Sequence, residues 1–293
     1  MANKETDKKI KSEDIISNLT PALTQFGKVL KNLNDSLSPK FSTVVTKVAN
    51  IFASFPFDTF YKWATIFSDI NYISLLKRLK LPLFLVNDET LKDDILNACA
   101  EKDDFDKATR IAIAYCNKAF IEQLGREWNN STVIKKERKK ILQEALLLHN
   151  EKRYYASTSI LMCQVYGLAS DISAIATQKG LRHDEESKAM VAEHFNIKQE
   201  DIDKEKGTLL QMATIPEQGA VVWLMIAEYL KEEILCSSDS KKRWATQPVR
   251  NKICHGAQLN FNTEEHSLKA ILTADILIQL ANILNDIQLE EKS

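Results

Sequence analysis

Residues 134–178 read IKKERKKILQEALLLHNEKRYYASTSILMCQVYGLASDISAIATQ, and their pattern decides the fold class. Leu161, Val165, Leu168, Ile172 and Ile175 recur at alternating intervals of four and three, which places them on one stripe of a helix. A polar set, Ser157, Gln164 and Asp171, repeats at the heptad interval. Seven residues drift only about 20° around a helix, so the three project in nearly one direction, as a solvent face or as the wall of a polar cleft. Ahead of the stripe, residues 135–153 carry seven Lys or Arg against Glu137, Glu144 and Glu151. Such a run is ordinarily a solvated helix face.

The pattern extends outward in both directions. Thr263 to Leu289 forms a last amphipathic helix through Leu268, Ile271, Leu272, Ile276, Leu280, Ile283 and Ile287. Helical patterns also cover Ile15–Leu37, Val44–Phe52, residues 105–128 and Glu217–Cys236. A helix start lies in NDETLKDDIL, where Asn87 or Asp88 can cap the free amides that follow. LPLFLV, residues 81–86, reads as a short strand or a buried link. Seven glycines and six prolines in 293 residues leave long stretches free of both. That scarcity favours an all-α multi-helix bundle with few tight turns. Two regions are expected: an N-terminal helical region, 1–130, that regulates or extends the core, and a C-terminal helical domain, 131–293.

Composition narrows the function classes. The chain is 44% hydrophobic and 27% charged, which suits a soluble globular protein. A net charge of -1 gives no global pull toward nucleic acid, so any such contact must be a local patch. The polar N-terminus MANKETDKKIKSEDII is no signal peptide, and no apolar run reaches the ~18 residues of a membrane span. Cys99, Cys116, Cys163, Cys236 and Cys254 show no C-x-x-C spacing, which argues against a disulfide framework or a zinc site. They read as reduced core residues of a cytoplasmic protein. The aromatic set Phe52, Phe55, Phe57, Phe60, Tyr61, Trp63, Phe67 and Tyr72 favours core packing over a membrane or partner face. Walker, Rossmann, H-E-x-x-H and Gly-x-Ser-x-Gly patterns are absent, and no metal or cofactor is expected.

One short stretch carries chemistry. RNKICHG, residues 250–256, sets Arg250, Asn251 and His255 on one segment closed by Gly256, whose plainest role is a left-handed helix cap. Pro248 suits a first helical turn, with Thr246 or Gln247 at the cap, giving a helix of about two turns that ends at His255. Asn251 and His255 are four apart and share a face. Arg250 and His255 lie about 140° apart around the axis, so one ligand reaches both only across the helix edge or with a second copy of the chain. An imidazole and a guanidinium suit RNA transesterification without a metal. The first moves a proton, and the second holds phosphate oxygens in a fork.

RNKICHG resembles the Arg-polar-x-x-x-His signature of the HEPN superfamily, all-helical domains that include many bacterial ribonuclease toxins and antiviral effectors. The upstream helix pair in residues 126–172 looks like the pair that precedes this signature, and the resemblance covers about residues 126–289. It implies a HEPN-like C-terminal domain and a metal-independent endoribonuclease acting on RNA as a homodimer. A toxin or abortive-infection role follows, with an antitoxin or sensor as partner. By the same resemblance Arg250 and His255 are catalytic, and Asn251 orients the imidazole or the phosphate. Relatives often carry an acidic residue where this chain has Tyr166 beside Gly167; Gln164 and Asp171 are the nearest polar substitutes. Lys241, Lys242, Arg243, Trp244 and Lys252 would supply an RNA path through phosphate attraction and base stacking. The alternatives are a non-catalytic HEPN-like module that binds nucleotide, RNA or protein, and a helical interaction protein that uses the aromatic segment.

Overall fold

The computed structural model describes residues 72–100, 105–178, 226–236 and 246–286, with four isolated positions between 189 and 200. The chain divides into two compact units, Met1–Ser74 and Leu75–Ser293. The first helical patterns, the aromatic segment apart from Tyr72, and the Lys241–Trp244 stretch lie outside the described residues. Everything that follows concerns the second unit.

The architecture is all-α, with no strand among the described residues. Its helices include α1 (Glu89–Ala100), α2 (Phe105–Tyr115), α3 (Lys118–Asn130), α4 (Lys136–Asn150), α5 (Tyr154–Gln178), α6 (Arg250–Cys254) and α7 (Glu264–Asp286), with a π-helical turn at Leu230–Ile234 and further helical residues at 72–79 and 226–229. No described helix is long and apolar enough to cross a membrane.

The core is built on α5 and α7, with α4 alongside both and α3 against α4 and α7. The expected stripe on α5 faces inward: Leu161, Val165, Leu168 and Ile172 are buried, and Ile175 at its end is half-buried. So are Leu268, Ile271, Leu272, Ile276 and Leu280 of α7, whereas Ile283 is exposed. Burying a side chain of this size stabilises by about 1.5–3 kcal/mol, which is what holds two long helices face to face. The regular 134–178 stretch breaks at residues 151–153, where Lys152 takes a left-handed φ of 61° and lets α5 fold back on α4.

Local chemistry sets the other breaks. The pattern over 105–128 yields two helices, because the Asn117 side chain accepts hydrogen bonds from the amides of Ala119 and Phe120 and starts α3 afresh. Asp88 opens α1 as expected, accepting from the Leu91 amide at 2.9 Å. Residues 81–86 form a buried link, with Leu81, Leu83 and Phe84 packed inside.

Several polar groups inside the core are paired, although Thr158 Oγ1 and His266 Nε2 are buried without a hydrogen-bond partner. Trp128 of α3, fully buried, donates its indole N–H to Asp275 of α7 at 2.7 Å. This bond crosses the expected division at residue 130. Burial raises the Asp275 carboxyl to about 6, against the lowering effect of the hydrogen bonds from Trp128 and Gln279. Burial and that nearby carboxyl push the Cys116 thiol up to about 12. His149 Nδ1 meets Ser267 Oγ at 2.8 Å, and Ser267 donates to Ser157 at 2.9 Å. Burial lowers the His149 imidazole to about 4. Lys269, 1% exposed, is held by Glu265 at 2.6 Å and Thr246 at 3.2 Å. Burial lowers its ammonium pKa, and the Glu265 carboxylate opposes that shift.

Candidate functional site

The 250–256 turn is shorter than its sequence suggests. Helix α6 runs from Arg250 to Cys254, with Val249 as a cap that offers no side-chain hydrogen bond. Pro248 therefore stands outside the helix, and neither Thr246 nor Gln247 caps it. Gln247 is buried and occupied elsewhere: it donates to the Lys80 carbonyl at 3.0 Å and accepts from Tyr229 at 3.4 Å. His255 is the C-cap residue, and Gly256 takes the left-handed φ of 71°. The Gly256 amide then reaches the Ile253 carbonyl at 3.1 Å and the Ala257 amide reaches that of Lys252 at 2.7 Å. This double closure satisfies the last carbonyls of a very short helix, and an L side chain at Gly256 would strain it.

A residue absent from the sequence reading completes the turn. Gln258 is buried; its Oε1 accepts from the Val249 amide at 3.0 Å, and its Nε2 donates to the Gln247 carbonyl at 2.8 Å. One amide side chain thus fastens both strands of the loop that carries α6. Ile253 anchors the helix from below.

Helix α6 packs on α5. Arg250 and Cys254, one turn apart, face Tyr166 and Cys163. The Arg250 guanidinium carbon lies 4.1 Å from the Tyr166 ring centroid, and its Nη1 donates to Asn251 Oδ1 at 2.9 Å. Its Nε is buried and makes no protein hydrogen bond. Asn251 is turned toward the backbone: its Nδ2 donates to the carbonyls of Leu235 and Cys236 at 3.2 and 3.1 Å. It positions Arg250 and ties α6 to the segment after the π-helical turn, rather than addressing His255. The His255 side chain is exposed, and Lys252 is half-buried.

Two other expected site residues belong to a different contact. Gln164 and Asp171 both bind Arg138 of α4, at 2.6 Å through Nη1 and 2.9 Å through Nε, and Lys135 adds an ion pair to Asp171 at 3.3 Å. Gly167 makes this clasp possible, since a Cβ there would lie 2.1 Å from Arg138 Nη1. Arg138 is thus not part of a solvated face. The polar set of Ser157, Gln164 and Asp171 is not a free solvent face. Its members bond to α7 at one end and α4 at the other.

The cysteines also depart from expectation. Cys163 and Cys254 are exposed and their sulfurs are 3.6 Å apart, whereas Cys116 is buried as expected. Of the other histidines, His149 and His266 are buried structural residues, with His266 Nδ1 2.7 Å from Thr263 Oγ1. His183 and His194 lie outside the described residues. Among the described residues no group of three His, Cys, Asp or Glu is placed to hold a metal ion. No family model, curated protein or solved structure matches the chain.

Proposed function

We propose that the chain is a metal-independent endoribonuclease of the HEPN kind, which cleaves RNA by attack of a ribose 2′-hydroxyl on the adjacent phosphorus. The observation that carries this reading is the pairing, on one tightly closed turn, of a guanidinium backed by Tyr166 with a solvent-open imidazole. His255 moves the proton of the 2′-hydroxyl or of the leaving oxygen. Arg250 binds the phosphate oxygens and offsets the charge that develops on them. Asn251 and Tyr166 hold the guanidinium, and Lys252 with Lys241, Lys242, Arg243 and Trp244 guides the RNA strand. Arg250 and His255 are five positions apart, about 140° around a helix axis, so the reading includes a homodimer in which one copy's Arg250 serves the phosphate beside its partner's His255. A cytoplasmic toxin or antiviral effector, held in check by an antitoxin or sensor, is the role that the resemblance implies.

A second reading rests on Asn251. Its commitment to two backbone carbonyls gives the turn a structural task, and the same surface then serves a HEPN-like module that binds RNA or nucleotide without cutting it. Incubation of the purified protein with RNA in EDTA separates the two. The nuclease reading expects fragments ending in 2′,3′-cyclic phosphate, lost in Arg250→Ala and in His255→Ala while the fold persists. Binding with intact RNA would establish the module instead.

A further inference from the structure

Cys163 and Cys254 stand 91 residues apart in sequence and on different helices, yet their sulfurs lie 3.6 Å from each other. Both are free and exposed, whereas Cys99, Cys116 and Cys236 are buried or half-buried. We propose that Cys163 and Cys254 form an oxidisable dithiol site that reacts with hydroperoxides and closes to a disulfide joining α5 to α6. This does not rest on the nuclease reading.

Geometry favours the closure. A disulfide bond is about 2.05 Å long, so the two sulfurs must approach by only about 1.5 Å. Cys254 is the last residue of a five-residue helix, and both side chains are on the surface, so no core packing has to yield. Burial and the neighbouring sulfur push the Cys254 thiol up, while Arg250 pulls it down. One thiolate suffices for the first step, and the second sulfur enters afterwards.

The chemistry balances without a metal. One sulfur, as thiolate, attacks a peroxide oxygen; the O–O bond breaks, a sulfenic acid forms, and an alcohol or water leaves. The second sulfur loses its proton and displaces hydroxide from the sulfenic sulfur, which departs as water when the S–S bond forms. Two electrons pass from the thiol pair to the peroxide. The new bond lies beside the Arg250–Tyr166 stack and one residue from His255, so oxidation fixes the position of α6 on α5.

The test uses the full reduced chain and a small molar excess of hydrogen peroxide, followed by intact mass measurement and a non-reducing peptide map. The expected result is the loss of two hydrogens per chain and one cross-link between the peptides carrying Cys163 and Cys254, reversed by dithiothreitol. Tm should rise by several degrees, because the bond closes a long loop in the unfolded chain. Cys163→Ser should abolish the cross-link and leave Cys254 to gain oxygen instead. Separate sulfinic or sulfonic acids on the two residues of the unaltered chain would overturn the proposal. So would a cross-link through Cys99, Cys116 or Cys236, or one between two chains. No RNA enters the measurement, so its failure and that of the nuclease reading are told apart.

Discussion

Helix α5 has two sides that do different work. Toward α7 it is pressed by fully buried aliphatic residues, and its Ser157 joins the Ser267–His149 chain of hydrogen bonds. Toward α6 it offers an exposed tyrosine to a guanidinium and an exposed thiol to another thiol. The first contact is dry, extensive and costly to disturb. The second is small, wet and held in place by groups outside itself, namely Gln258, Asn251 and the closure at Gly256. Stability and candidate chemistry therefore occupy opposite faces of one helix, and substitutions should separate them.

The sharpest blow to the dry side is Trp128→Ala. It empties a fully buried indole site and strips Asp275 of one of its two donors, so unfolding in urea should show a loss of about 3–5 kcal/mol. A loss under about 1 kcal/mol would mean that α3 is not part of the core.

Acidity gives the next effect, through two groups that oppose each other. His149, lowered to about 4 from 6.5, makes the folded state bind fewer protons than the unfolded one, so its contribution is lost as pH falls through that window. Asp275, raised to about 6, makes the folded state bind more, so stability falls as pH rises from the ordinary carboxylate range through 6. Each contribution is on the order of 3 kcal/mol and they largely offset between pH 4 and 6. Unfolding curves across that range should be nearly flat for the unaltered chain. Asp275→Asn should make stability rise with pH, and His149→Gln should make it fall. Parallel responses in both variants would break the pairing.

A smaller change tests the link between α4 and α5. Gly167→Ala pushes a methyl group into the Arg138 guanidinium and should cost about 1–2 kcal/mol through the lost bonds to Gln164 and Asp171. In an Arg138→Ala background the same substitution should be close to neutral, as a double-mutant cycle would show. The least effect belongs to the wet side. His255→Ala and Tyr166→Ala should each change stability by under about 1 kcal/mol, since one side chain is solvated and the other contributes a single exposed cation–π contact. On the nuclease reading His255→Ala should nonetheless abolish cleavage. A large fall in Tm for either would erase the contrast between the two faces.

What the sequence made legible follows the same division. The α5 and α7 stripes could be read because apolar side chains at intervals of three and four have one physical use in a helical chain. The Asp88 start and the Gly256 end could be read because caps are local. Asn117 was hidden inside an otherwise helical run, since its effect depends on a backbone break that apolar spacing does not reveal. The partners of Gln164 and Asp171 were hidden too: heptad spacing gives a direction around the helix, but Arg138 arrives from another helix through the space left by Gly167. The same holds for Gln258, for Tyr166 under Arg250, and for the two exposed cysteines, whose proximity spans 91 positions. The motif residues were visible by type, and the structure gives Asn251 its backbone partners.

Lys269 remains as a natural reporter. With 1% of its surface exposed and its ammonium enclosed by Glu265 and Thr246, it is shielded from amine-acylating reagents that modify surface lysines at once. Acylation at this position therefore marks molecules in which the start of α7 has come away, and the rate of labelling times that opening from within the unaltered chain.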